Sequence, residues 1–117
     1  MMPRLSLQTA ASLAIANKPD FGLPRYLQSP AQTQQPGIGI VHLGPGAFFR
    51  GHQAWYTHRA MQQAGGNWRI CAVSLRTPDV AEALEPQNGL YTLAVMEQHT
   101  EFSLIGSIAE VLVATTQ

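Results

Sequence analysis

Six residues, Ile38-Gly39-Ile40-Val41-His42-Leu43, run directly into Gly44-Pro45-Gly46, and a helix-compatible stretch follows. A short run dominated by β-branched and apolar residues has the character of a buried strand. Two glycines around a proline end it abruptly. A buried strand feeding a glycine turn that opens a helix is how many α/β proteins cradle a pyrophosphate. Gly44 permits the tight turn, and Gly46 removes a Cβ so that a phosphate can approach the backbone. The amides that follow, with Pro45, Ala47 and Phe48 in the cradle, then face the anion with the positive end of the helix. The usual fingerprint is G-x-G-x-x-G, and its third position here is Phe49. On the glycines alone, an ordinary turn and a phosphate cradle are both open readings.

Length and charge exclude several classes. A chain of 117 residues is one domain's worth at most, and a complete doubly wound sheet usually needs more. Seven basic and seven acidic side chains cancel. No basic stripe suggests nucleic acid, and no polybasic cluster suggests an anionic membrane. No apolar run of about 18 residues exists to span one. Charged residues make up 12% of the chain, about half the usual share. So low a share suits a piece whose surface is partly meant for the rest of a larger protein.

Cys71 is the one cysteine, so no internal disulfide forms. Inside an apolar strand it reads as a small buried thiol, and its solitude fits a reducing, cytoplasmic setting. His42, His58 and His99 are scattered over a strand, a helix and a loop. No pair has metal-ligand spacing, so no metal is expected. G-x-S-x-G is absent, and no Ser-His-Asp grouping can be argued. No catalytic residue is assigned within the chain. Trp55 and Trp68 read as core or interface aromatics.

Residues 1–16 superficially imitate a secretory leader, but Ser6, Gln8, Thr9 and Ser12 interrupt the apolar run. They read instead as a short helix with Leu5, Ala10 or Ala11, and Leu13 facing the protein. The arm to Pro36 carries Pro19, Pro24, Pro30 and Pro36 and a polar stretch over 28–35, and it reads as a surface strap or linker rather than a core element. A helix is expected over 51–64, with Ala54, Trp55, His58 and Met61 on one face and Gly65-Gly66 ending it. Strand 68–75 and a helix over 78–84 follow, the helix capped by Thr77. Strands 89–97 and 101–107 form a hairpin through Gln98-His99-Thr100. Residues 108–113 are read as the start of another helix. Strand, helix, strand, helix in this order implies a right-handed parallel unit.

Asp79 is a second candidate. Dinucleotide-binding folds place an acidic residue just beyond the second strand, where it accepts hydrogen bonds from the ribose hydroxyls. The alternative is a carboxylate simply placed in a first helical turn, where the dipole favours it. Arg76 is open between stacking on adenine and accommodating a 2′-phosphate. Arg50 is open between neutralising phosphate and fixing the turn through backbone hydrogen bonds, and His52 leans to the latter. Phe48 is expected to pack under the turn.

G-x-G-A-F-x-R-x-H at residues 44–52 resembles the phosphate turn of the polyol-specific long-chain dehydrogenase family, which includes mannitol 2-dehydrogenase, fructuronate reductase (D-mannonate oxidoreductase) and D-arabinitol dehydrogenase. His52-Gln53-Ala54-x-Tyr56-Thr57 looks like its H-Q-A-x-Y-T. Residues 68–76, W-R-I-C-A-V-S-L-R, look like its second strand, W-x-I-C-x-V-x-L-R. Leu90-Tyr91-Thr92-Leu93, Ile105-Gly106-Ser107-Ile108 and Leu23-Pro24-x-Tyr26 are similar to further family motifs. Phe49 stands where the family usually has His, and Gly51 where it usually has Ala.

The resemblance implies an α/β fold: an incomplete Rossmann-type parallel sheet with a β-hairpin insertion and a proline-rich N-terminal arm. Residues 1–36 would be the arm, and 37–117 the first half of an NAD-binding domain. The family has an aspartate matching Asp79, which favours NAD over NADP. Its members pass hydride between C4 of nicotinamide and a secondary carbinol of an open-chain polyol or sugar acid. A lysine of a C-terminal helical domain, absent from these 117 residues, is the acid/base. The resemblance therefore implies the cofactor-binding part of a mannitol/fructose or mannonate/fructuronate type oxidoreductase, meeting its substrate through that further domain and inactive by itself. The alternative is a truncated or stand-alone nucleotide-binding module without turnover.

Overall fold

A computed structural model describes Ser6, residues 23–28, 36–96 and 98–114. The expected helix over the first residues lies outside that set. Three strands form a parallel sheet: β1 (Ile38–Leu43), β2 (Arg69–Ser74) and β5 (Ile108–Val113), in the order β1-β2-β5. Helices α1 (Ala47–Gly51) and α2 (Gln53–Ala64) cross from β1 to β2, and α3 (Asp79–Leu84) follows β2. Strands β3 (Tyr91–Met96) and β4 (Thr100–Ile105) make a separate antiparallel hairpin before the chain returns to the sheet. This is the α/β plan with a hairpin insertion that the sequence implies.

The register explains the core. His42, Ala72 and Val111 are neighbours across the sheet. On that face Ile70, Ala72, Ile108 and Val111 form one buried cluster with Phe49, Ala54, Ala81, Leu84, Tyr91 and Ile105. The helices therefore cover one face. Val41, Cys71 and Glu110 are neighbours on the other, as are Leu43, Val73 and Leu112. Val41 and Leu43 there are 69% and 62% exposed. Cys71 is buried, and that burial, reinforced by Glu110, pushes its thiol up from the ordinary value.

Four expectations are corrected. Residues 108–113 are a strand, because Ile108, Val111 and Val113 are β-branched and the open edge of β2 offers a parallel partner. The first helix begins at Ala47 and breaks at His52 (φ −122°, ψ −89°), next to the poor helix former Gly51. Thr77 does not cap α3: Pro78 holds that position without a side-chain cap, and Ser74 Oγ donates to the Thr77 carbonyl instead. The arm is more than a strap. Residues Arg25–Leu27 form a 3-10 turn, and Leu27, with 3% exposure, packs with Leu90 and Leu104 in a second buried cluster.

Tyr26 anchors this turn, its hydroxyl sharing a hydrogen bond with His58 Nδ1 at 2.6 Å and accepting the Gly106 amide at 3.2 Å. Burial, with Arg59 nearby, pushes His58 down to about 4. Arg69, buried on β2, donates to the carbonyls of Gly106 and Ile108, and burial lowers its guanidinium from the ordinary value. Among the described residues no helix is long and apolar enough to cross a membrane.

Candidate functional site

The carboxyl ends of β1 and β2 lie side by side, with Leu43 opposite Val73. Open parallel sheets bind ligands at that edge. The chain leaves β1 through Gly44 at φ +93°, a conformation that glycine adopts without strain. Its amide donates to the Val73 carbonyl at 2.9 Å, which pins the turn to β2. Pro45 is buried beneath. Gly46 is exposed with φ −70° and ψ 178°, and no atom lies within 4 Å of where its Cβ would be. Ala47 and Phe48 follow as the first residues of α1, and no side chain caps that end. A helix start of this kind leaves its first amides free of intrahelical partners.

A cavity of about 300 Å³ opens at this turn, lined by His42, Gly44, Gly46, Phe48, Phe49, His52 and Gln53. Its walls are aromatic. Phe48 is 76% exposed and stacks on His52, with centroids 4.2 Å apart. The ring under the turn is Phe49, 5% exposed and stacked on His42 of β1. This reverses the expectation for Phe48. Phe49 stands where the fingerprint's third glycine would let helix and strand touch, and its ring fills that gap.

Arg50 folds back on the turn. Its amide donates to the Gly46 carbonyl at 3.0 Å and its Nε reaches the same oxygen at 3.4 Å. Its own carbonyl accepts the Tyr91 hydroxyl at 2.7 Å. Burial pushes the Tyr91 phenol well above its ordinary value. His52 makes no side-chain capping bond; it stacks on Phe48 and meets Tyr56 edge-on.

Asp79 is the first residue of α3, and Arg76 lies in the loop after β2; both are exposed. They follow the second strand at the same sheet edge, but neither lines the cavity at the turn. Sequence reasoning gave His42 and Phe49 no part in this cavity. The signal for His42 is its alternation with Ile40, which turns both toward the helix side. Among the described residues no three potential metal ligands come together.

With this geometry in hand, the chain compares closely with known proteins. It is 44% identical over 77 residues to D-mannonate oxidoreductase of Escherichia coli (strain K12), covering 62% of this chain and 16% of that protein. It is 35% identical to the mannitol 2-dehydrogenase of Aspergillus terreus over 95% of this chain and 22% of that enzyme. The solved structure of Pseudomonas fluorescens mannitol 2-dehydrogenase, a ternary complex with NAD and D-mannitol, superposes with a TM-score of 0.78 at 35% identity. It covers 97% of this chain and 22% of that one. The chain thus spans between 16% and 22% of the length of these three relatives. Residues 38–116 match the family described as the mannitol dehydrogenase Rossmann domain, and the chain belongs to that family.

Proposed function

We propose that this chain supplies the pyrophosphate and adenosine-ribose part of an NAD site. The whole protein would be an oxidoreductase acting on a secondary alcohol of a polyol or sugar acid, of the mannitol/fructose or mannonate/fructuronate type. The observation that carries this reading is the turn itself. Gly44 needs the left-handed conformation to make it, and the space above Gly46 is open where any other residue would place a Cβ. A dinucleotide's pyrophosphate fits such a cradle.

In this reading Gly44 and Pro45 shape the turn, the Gly44 amide being held by Val73 and Pro45 having no N–H, and the amides of Gly46, Ala47 and Phe48 hold the pyrophosphate. Asp79 accepts from the ribose hydroxyls and disfavours a 2′-phosphate, and Arg76 borders the adenine. Bound NAD supplies the hydride acceptor at C4 of nicotinamide, and the protein supplies orientation. Proton transfer and substrate contacts are assigned to residues outside these 117, in keeping with relatives of several times this length. The lone buried Cys71 supports a reducing, cytoplasmic location.

Titrating the chain with NAD while following the fluorescence of Trp55 and Trp68 tests the reading. Saturable binding that adenosine competes away is expected; no binding at millimolar NAD overturns it.

A further inference from the structure

Three motifs of the sequence play no part in the turn's cavity: Leu90-Tyr91-Thr92-Leu93, Ile105-Gly106-Ser107-Ile108 and Leu23-Pro24-x-Tyr26. In the fold, all three end on the helix pair behind the turn. The Tyr91 hydroxyl donates to the Arg50 carbonyl at 2.7 Å, and Ser107 Oγ donates to the Ala54 carbonyl at 2.6 Å. Tyr26 holds His58 one turn further along. The two carbonyls lie on either side of the helix break at His52.

We propose that Tyr91 is a positioning residue for the glycine turn: its hydroxyl fixes the far end of α1, and so the direction in which the amides of Gly46, Ala47 and Phe48 face a bound pyrophosphate. This rests on the NAD-binding reading above. Helix α1 has five residues, about 7.5 Å of axis, so a small tilt at one end moves the other by a comparable amount. The break at His52 uncouples its direction from that of α2. Carbonyls in the last turn of a helix lack intrahelical partners, and Arg50 offers one there. Tyr91 meets it from a firm base, being 8% exposed and paired across the hairpin with the fully buried Ile105. Arg50 also touches the Gly46 carbonyl, so one residue joins the tyrosine to the turn. Displacing a donor by about 1 Å takes it out of hydrogen-bonding range, and losing one bond to a charged group weakens binding by about tenfold.

The test compares the full chain with Tyr91→Phe and Tyr26→Phe, with circular dichroism confirming that each folds. Tyr26 is a similarly hydrogen-bonded phenol whose bonds go to His58 of α2 and to Gly106 rather than to α1, so it controls for general softening. Affinities for NAD and for adenosine, which lacks the pyrophosphate, are measured for each. Tyr91→Phe is expected to weaken NAD about tenfold and leave adenosine unchanged, while Tyr26→Phe changes neither. Replacing Tyr91 by 4-aminophenylalanine, which keeps a donor at the ring's far end, is expected to restore NAD affinity. An NAD affinity of Tyr91→Phe within twofold of the parent chain overturns the proposal, as does equal weakening of NAD and adenosine. A parent chain that fails to bind NAD overturns the NAD-binding reading itself and the positioning role with it.

Discussion

The imidazole of His42 and the ring of Phe49 lie stacked, their centroids 3.9 Å apart and their planes 9° from parallel. One sits on the first strand and the other on the first helical turn, so the stack sets the spacing between β1 and α1. Truncating Phe49 to alanine removes a buried ring at the floor of the turn and should cost about 3–5 kcal/mol. Phe49→His, which retains a planar ring over His42, should cost less than the alanine. Urea unfolding of the three chains checks the order; equal losses for alanine and histidine would detach the stack from the stability of the turn.

Gly44 and Gly46 should fail in different ways when replaced. Gly44 holds φ +93°, so Gly44→Ala strains the backbone although nothing crowds the new methyl, at about 1–2 kcal/mol of stability. Gly46 holds φ −70° in open space, so Gly46→Val should leave the melting temperature near that of the parent chain. The valine should instead weaken NAD by tenfold or more, because its side chain takes the place of the pyrophosphate. Melting curves and an NAD titration on both variants separate the two effects. A Gly46→Val chain with parent affinity would remove this turn from the cofactor site.

Acid should loosen the fold through His58. Its folded value of about 4 lies below the ordinary 6.5, because burial disfavours the imidazolium. Between those two values the unfolded chain binds more protons than the folded one, so stability rises with pH across that window. The contribution is complete above pH 6.5 and disappears as the pH falls through 4, amounting to at most about 3 kcal/mol. Urea midpoints from pH 7.5 to 4 for the parent chain and His58→Gln should converge at the acid end. Parallel profiles would show that His58 is not the group responsible.

Asp79→Ala should narrow the gap between NAD and NADP by about 1–3 kcal/mol, mainly by improving NADP. Asp79 is exposed and begins α3, where a carboxylate also suits the helix dipole. Dissociation constants for both dinucleotides decide between these roles. Equal weakening of the two would make Asp79 a structural feature of α3 alone.

Much of this was legible along the chain, for physical reasons that also mark where legibility stops. Ile38–Leu43 and Arg69–Ser74 announce themselves through branched side chains and glycine punctuation, and the turn through its two glycines. The choice between Phe48 and Phe49 was not legible, because adjacent residues on a helix point about 100° apart and the phase depends on where the helix begins. Starting α1 at Ala47 rather than four residues later reverses which ring is buried. Residues 108–113 are too short an apolar run for periodicity to separate helix from strand; the open edge of β2 decides, and that edge is a tertiary fact. Tyr91 meets Arg50 across 41 residues, with no local signal at all.

The Tyr26 hydroxyl and the Gly106 amide it accepts are 80 residues apart along the chain. A contact of that span closes a long loop, so its entropy is lost only once most of the sheet already exists to compensate. We expect the junction to form late in folding, with φ-values near zero. Tyr26→Phe should then leave the refolding rate almost untouched and speed unfolding, a division that the two arms of a urea chevron measure; slower refolding would place this contact in the folding nucleus instead.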